Sequence, residues 1–188
     1  MTLSDGSRPA LDESLAPIAA LQRALSAEFD RDARGPRVAA ILAEYTRLHD
    51  DWRAFAHFAP DRYTRNLVGR TAAYELLVLC WDAGQSSPIH DHAGQNCWMG
   101  VLEGRIEEVQ YELPPRGFVG PLRRLGARVY EPGKVAYISD DIALHLVRPA
   151  HGRRGVSLHL YAQPIATCHV YDEATGLVLP RELTYHTA

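Results

Sequence analysis

From Thr71 onward the chain is cut into short runs of β-branched, aromatic and apolar residues, each closed by turn-forming residues. Thr71 to Trp81 is the first. Asn96 to Gly104 and Arg105 to Tyr111 follow, meeting at the turn Leu102-Glu103-Gly104. Ala127 to Tyr130, Lys134 to Ile138, Ala143 to Val147 and Gly155 to Ala162 complete the set, punctuated by Pro-Gly, Asp-Asp and Gly-Arg-Arg-Gly. Runs of this length bury little alone and must pair. Many short strands at such intervals predict a mainly β fold, either a sandwich or a small closed barrel.

Ahead of the strands the pattern is helical, from about Ala10 to Phe58. Leu15, Ile18, Leu21, Leu25 and Phe29 recur at three- and four-residue intervals and predict one apolar stripe. Asp30 to Pro36 breaks that helix, and Val38 to about His49 predicts a second, with Val38, Ile41, Leu42 and Tyr45 on one side. A third, short helix is expected near Asp50-Asp51, where Asp can cap and Trp52, Phe55 and Phe58 follow. The division is thus residues 1–60 as a helical segment packed on a barrel of residues 61–188, a single domain overall. His49 and His57 have no partner in register and read as surface or interface histidines.

Composition narrows the function classes. Of 188 residues 46% are hydrophobic, enough for a real core, and the formal net charge of −3 advertises neither nucleic acid nor anionic lipid as a partner. Met1 to Ser14 is polar and acidic, unlike a secretory signal, and no apolar run approaches the ~20 residues of a membrane span. Three cysteines (Cys80, Cys97, Cys168) without CxxC spacing read as reduced thiols. Cys80 and Cys168 suit small buried hydrophobes. A soluble, cytoplasmic protein with no obligate protein partner is expected.

The chemistry concentrates at Pro88-Ile89-His90-Asp91-His92. On a regular strand residues i and i+2 share a face, so His90 and His92 can converge on one point, while Asp91 points away as a solvent-facing or supporting carboxylate. Two imidazoles aimed at one point form half of a transition-metal site. Further on, Ser157, His159 and Tyr161 alternate with Val156, Leu158 and Leu160, which predicts one polar and one apolar face. An amphipathic edge strand would look the same, but the series also suits a hydrogen-bond relay from Ser157 through His159 to the Tyr161 hydroxyl.

Written out, the histidine neighbourhood is Gly84-x5-His90-x-His92-x4-Cys97-x6-Gly104, which resembles the first cupin motif with Cys97 where glutamate is usual. Gly126-x5-Pro132-Gly133 followed by His145 resembles the second, with the histidine further away than the general pattern expects. More specific blocks are similar to the cysteine dioxygenase family: Arg62-Tyr63-Thr64-Arg65-Asn66-Leu67-Val68, Leu79-Cys80-Trp81, Ser87 to His92, Val156 to Tyr161 and Thr167-Cys168-His169. They run in order from about residue 60 to 175. The resemblance implies a cupin-type, jelly-roll-like small β-barrel behind the N-terminal helices. It also implies His90, His92 and His145 as ligands of Fe(II), Arg65 with Tyr63 against the substrate carboxylate, and Tyr161 beside the metal. In animal-type members a cysteine matching Cys97 forms a thioether with the tyrosine matching Tyr161; many bacterial members carry glycine there. A Cys97–Tyr161 cross-link is therefore an expectation, and an unlinked buried thiol the alternative.

The implied activity is an iron(II)-dependent thiol dioxygenase of cysteine catabolism, converting L-cysteine and O2 to cysteine sulfinic acid. Three neutral ligands leave the ion its full positive charge, which favours an anionic thiolate. Imidazole is not selective, so zinc or copper would also fit three histidines. A 3-mercaptopropionate dioxygenase is the nearest alternative, although that group tends to carry glutamine where Arg65 stands. A non-catalytic ligand-binding cupin is the alternative of another class. His151, His169 and His186 carry no expected role beyond a structural one for His169.

Overall fold

The computed structural model describes residues 16–187. The expected start of the first helix at Ala10, its Leu15, and the polar stretch Met1 to Ser14 lie outside the described residues. Those described form two α-helices, α1 (Pro17–Arg31) and α2 (Val38–Leu48), a 3-10 turn at Asp51–Phe55, a second short one at Ala150–Gly152, and eleven strands.

The strands are β1 (Thr64–Arg70), β2 (Tyr74–Trp81), β3 (Ile89–His90), β4 (Cys97–Glu103), β5 (Ile106–Tyr111), β6 (Arg124–Tyr130), β7 (Val135–Ile138), β8 (Leu144–Pro149), β9 (Gly155–Ala162), β10 (Thr167–Tyr171) and β11 (Val178–Glu182). One sheet runs β1-β2-β9-β4-β7 and the other β11-β10-β3-β8-β5-β6, each built of antiparallel neighbours. The protein is mainly β, a small cupin-type barrel of two sheets with helices on one flank.

Alternation along β2 organises the layers. Tyr74, Leu76, Val78 and Cys80 join the core under the helices, whereas Leu77, Leu79 and Trp81 face the barrel interior. Strand β9 repeats this: Val156, Leu158 and Leu160 face the helices, and Tyr161 the interior. From α1 and α2, Leu21, Leu25, Phe29, Val38, Leu42 and Tyr45 complete the outer layer. Fully burying each such Leu or Val contributes roughly 1.5–3 kcal/mol, so the helical stripe read from spacing is spent on covering one sheet. Gly100 permits the close approach, since a Cβ there would lie 2.8 Å from Thr46 Cγ2 of α2. Gly104, at φ +72°, turns β4 towards β5, and a Cβ on it would collide with the Arg154 carbonyl.

Several expectations are corrected. The 3-10 turn has no side-chain cap of its own. Asp51 instead accepts the Ile18 N–H at 2.8 Å and the Tyr45 hydroxyl at 2.7 Å, supplying the acceptor that Ala16 cannot offer at the start of α1. Thr71 and Ala73 belong to the β1–β2 connection rather than to β2, where Thr71 Oγ1 accepts the N–H groups of Ala73 and Tyr74. Strands β1, β10 and β11 are additional to those expected. For β9 it is the alternative, an amphipathic edge, that is set aside: the strand lies between β2 and β4 and is buried throughout. Its polar residues face the barrel interior, not water. Among the described residues no helix is long and apolar enough to cross a membrane.

Candidate metal centre

His90 ends β3 and pairs across the ladder with His145 of β8, which places their rings side by side on the inner face. Their ring centroids lie 4.6 Å apart, and His92 sits 5.2 Å from His90 and 4.7 Å from His145. One ligand atom from each falls within 4.8 Å of the other two. The structure thus brings all three expected ligands together.

It does so differently from the expected regular strand. Strand β3 stops at His90, and the next residues turn into a loop whose backbone N–H groups, from His92 and Gly94, donate to Asp140 at 2.7 and 2.6 Å. Asp91 is buried rather than solvent-facing. Its carboxylate accepts the His169 N–H, pairs with His169 Nδ1, each at 2.8 Å, and takes the Tyr171 hydroxyl at 3.3 Å. It therefore ties the ligand loop to β10. His169 has a structural role, and its only role in the geometry is this one.

The donor set fits a transition metal. Burial, then His92, pushes the pKa of His90 down to about 3, so its ring is neutral at neutral pH. His145 is held well below the usual histidine range, first by burial and then by His90 and His92. His90 Nδ1 faces the Pro88 carbonyl at 3.0 Å, and His145 Nδ1 faces Glu108 Oε1 at 2.8 Å. Each contact holds the proton on Nδ1 and leaves the Nε2 lone pair for a metal. His92 is 1% exposed, yet neither ring nitrogen has a hydrogen-bond partner. Asp140 Oδ1 lies 3.5 Å from Nδ1, a long contact that is not a hydrogen bond. An orphaned buried imidazole beside two oriented ones is what an ion would satisfy.

The rest of the predicted set lines the same interior. Arg65, on β1, is 8% exposed, and its Cζ lies 5.5 Å from the Tyr161 ring centroid. Tyr63 stacks on Trp81 at 4.6 Å and helps wall the cavity that holds His90, His92, Arg65 and Tyr161. A larger groove of about 510 Å³ between α1 and α2 contains none of these residues.

Ser157, His159 and Tyr161 are consecutive inward positions of β9. Ser157 Oγ lies 2.9 Å from His159 Nε2, and His159 Nδ1 lies 3.5 Å from the Tyr161 hydroxyl. Trp81 Nε1 donates to Ser157 Oγ at 2.9 Å, leaving the serine hydroxyl to donate to Nε2. The imidazole proton then sits on Nδ1, facing Tyr161 across a long final link. Cys97 of β4 stands directly opposite Tyr161 in the ladder. Their Cβ atoms are therefore neighbours, about 4.5–5.5 Å apart in such pairs. Burial, then Glu108, raises the Cys97 thiol, and burial, then Cys97, raises the Tyr161 phenol, so both keep their protons at neutral pH.

Sequence reasoning missed Glu108, Asp140 and Glu75. Only Glu75 carried a faint signal, as the one acid of an apolar strand run; Glu108 stands beside Glu107 in a mixed strand, and Asp140 reads as ordinary turn punctuation.

A three-imidazole cluster, with His92 and His145 buried and His90 half-buried, inside a two-sheet barrel defines the class, a cupin-type barrel with a candidate metal centre. The family model for cysteine dioxygenase type I matches residues 9–174. Cysteine dioxygenase type 1 of Danio rerio is 36% identical over 138 residues, covering 72% of this chain and 69% of that protein. Those of Rattus norvegicus and Homo sapiens are each 36% identical over 152 residues, 80% of this chain and 76% of each relative. The chain belongs to the cysteine dioxygenase type I family, and with it to the dioxygenases. Fainter likenesses to solved structures, such as an RmlC-like cupin protein from Desulfovibrio desulfuricans (25% identity, 62% of this chain, 97% of that one, TM-score 0.42), add nothing to that assignment.

Glu108→Gln keeps the shape of the side chain but weakens its hold on the His145 proton. Metal affinity, measured by chelator competition, is expected to fall about 10- to 100-fold. An unchanged affinity would show that His145 needs no such support.

Proposed function

We propose that this chain is an iron(II)-dependent L-cysteine dioxygenase of the cytoplasm, joining both atoms of O2 to the thiol sulfur to give cysteine sulfinic acid. The single observation that carries the reading is a buried guanidinium, Arg65, lining one cavity with His90 and His92 of the three-histidine cluster. Family membership supports it.

In this reading His90, His92 and His145 hold the metal. Iron(II) there would supply the positive charge that favours a thiolate and a centre able to activate dioxygen. Arg65 binds the substrate carboxylate, for which a planar fork of N–H donors is suited. Its Nε is buried with no partner in the protein, so one donor is unspent. Tyr63, with its ring fixed against Trp81, closes the side of that subsite. Tyr161 keeps its phenolic proton and presents it to the bound substrate, while His159, held by Ser157, faces the phenol oxygen and limits its rotation. Burial of Arg65, His159 and Tyr161 lowers the local dielectric and strengthens each of these contacts. The partners are thus a small thiol and O2.

The test is oxygen uptake and sulfinate formation by the iron-loaded protein over a thiol panel. L-Cysteine is expected to be the preferred substrate, and Arg65→Gln to raise its KM by more than about tenfold while iron stays bound. Absence of uptake with iron confirmed would favour a non-catalytic binding role. Equal turnover of L-cysteine and 3-mercaptopropionate by both proteins would remove Arg65 from the substrate site.

The cofactor reading extends to Cys97 and Tyr161. A thioether between Cys97 Sγ and the ring carbon beside the Tyr161 hydroxyl would remove one S–H and one C–H hydrogen, with dioxygen as acceptor. Intact mass after denaturation and reduction is expected to show chains lighter by two hydrogens after turnover. An unshifted mass would leave Cys97 as a buried thiol.

A further inference from the structure

The deepest acid near the site belongs to no part of the scheme above. Glu75 is the one acidic residue of β2, is 0% exposed, and faces the barrel interior directly across from Tyr161. Glu75, Tyr161 and Cys97 therefore form one cross-strand row. Glu75 Oε1 lies 3.4 Å from Arg65 Nη2, and its Oε2 accepts the Tyr185 hydroxyl at 2.6 Å.

Tyr185 comes from the segment after β11, past residue 174 where the family match ends. That segment is laced to β1 around Arg65 itself. The His186 N–H donates to the Arg65 carbonyl at 2.8 Å, and the Leu67 N–H to the Thr187 carbonyl at 2.9 Å. Thr187 Oγ1 adds a bond to Asn66 Oδ1 at 3.1 Å.

We infer that Glu75 and Tyr185 are positioning residues for the Arg65 guanidinium, so that recognition of a carboxylate-bearing thiol depends on the C-terminal segment. The inference rests on the reading of Arg65 as the carboxylate-binding residue. A buried guanidinium with no counter-charge is strongly disfavoured and swings toward whatever anion it can reach. Here the Glu75 carboxylate holds one Nη, and the Tyr161 ring lies alongside the guanidinium. The Nε is left unpaired for a ligand. Tyr185 fixes the carboxylate in turn, because its other oxygen is otherwise free to rotate away. The guanidinium is thus oriented before substrate arrives, which removes an ordering step from binding.

The test uses the iron-loaded full chain with Glu75→Gln, Tyr185→Phe and the double variant. Two readouts are taken: steady-state kinetics with L-cysteine, and anaerobic calorimetric titration with L-cysteine and with cysteamine, which lacks the carboxylate. Glu75→Gln is expected to raise KM and weaken anaerobic binding of L-cysteine about tenfold, and Tyr185→Phe about threefold, with kcat within about twofold and iron per chain unchanged. Cysteamine affinity is expected to stay at the wild-type value. The double variant should be no worse than Glu75→Gln, since Tyr185 acts through that carboxylate. Unchanged L-cysteine affinity in both single variants overturns the inference. So does an equal loss for the two thiols, or loss of iron, either of which marks a purely structural pair. A wild-type protein that fails to oxidise L-cysteine would instead refute the proposed activity, and the anaerobic titrations would still read the effect of the pair.

Discussion

Three imidazoles within reach of one another, two of them buried and one half-buried, leave a polar surplus that the barrel does not resolve by itself. Two of the rings have one nitrogen fixed by the protein, His90 through the Pro88 carbonyl and His145 through Glu108. His92 has neither. Uncompensated polar atoms in a dry interior cost about 1–3 kcal/mol each, so the arrangement is stable only if something else meets those lone pairs. A metal does this for all three at once, and the neutral state imposed by burial is the state that can ligate. The inner face is accordingly arranged around that point.

The two sheets divide the work. The sheet that carries β3 and β8 supplies two ligands from adjacent strands in register, with β5 behind them offering Glu108. The facing sheet supplies the proposed substrate-facing pair, Arg65 from β1 and Tyr161 from β9, and the residues packed around them: Glu75 from β2, His159 from β9 and Cys97 from β4. Register alone sets this second group, because inward positions on neighbouring strands line up as rows. The helices never reach the cavity. They cover the outer face of this sheet, which fixes strands that must hold side chains to fractions of an ångström.

Much of this was legible because alternation and spacing survive folding. The apolar stripes of α1 and α2, most strand runs and the inward series Ser157, His159, Tyr161 all follow from periodicity; His90 and His92 do converge, but through a loop after β3 and not by strand alternation. What was not legible depended on contacts distant in the chain. Strand β11 has a brief apolar run, Val178-Leu179, that Pro180 cuts short and the fold leaves exposed, and Thr167 to Tyr171 is too short and mixed to stand out. Asp91, sandwiched between two ligands, was expected to face outward or lend support. Its burial follows from strand β3 ending one residue earlier, a consequence of Asp140 gripping the loop from 46 and 48 residues away. Glu75 stood in plain view as an acid in an apolar run, and Glu108 was hidden beside Glu107 in a mixed one; what each pairs with came only from the fold.

The account stands on the three histidines acting as one metal site. Iron content after anaerobic reconstitution with iron(II) and desalting, compared between the wild-type chain and His145→Ala, tests this most directly. One ion per chain in the first and almost none in the second is the predicted result. A full equivalent of tightly held iron in the variant, or none in the wild type, would contradict it.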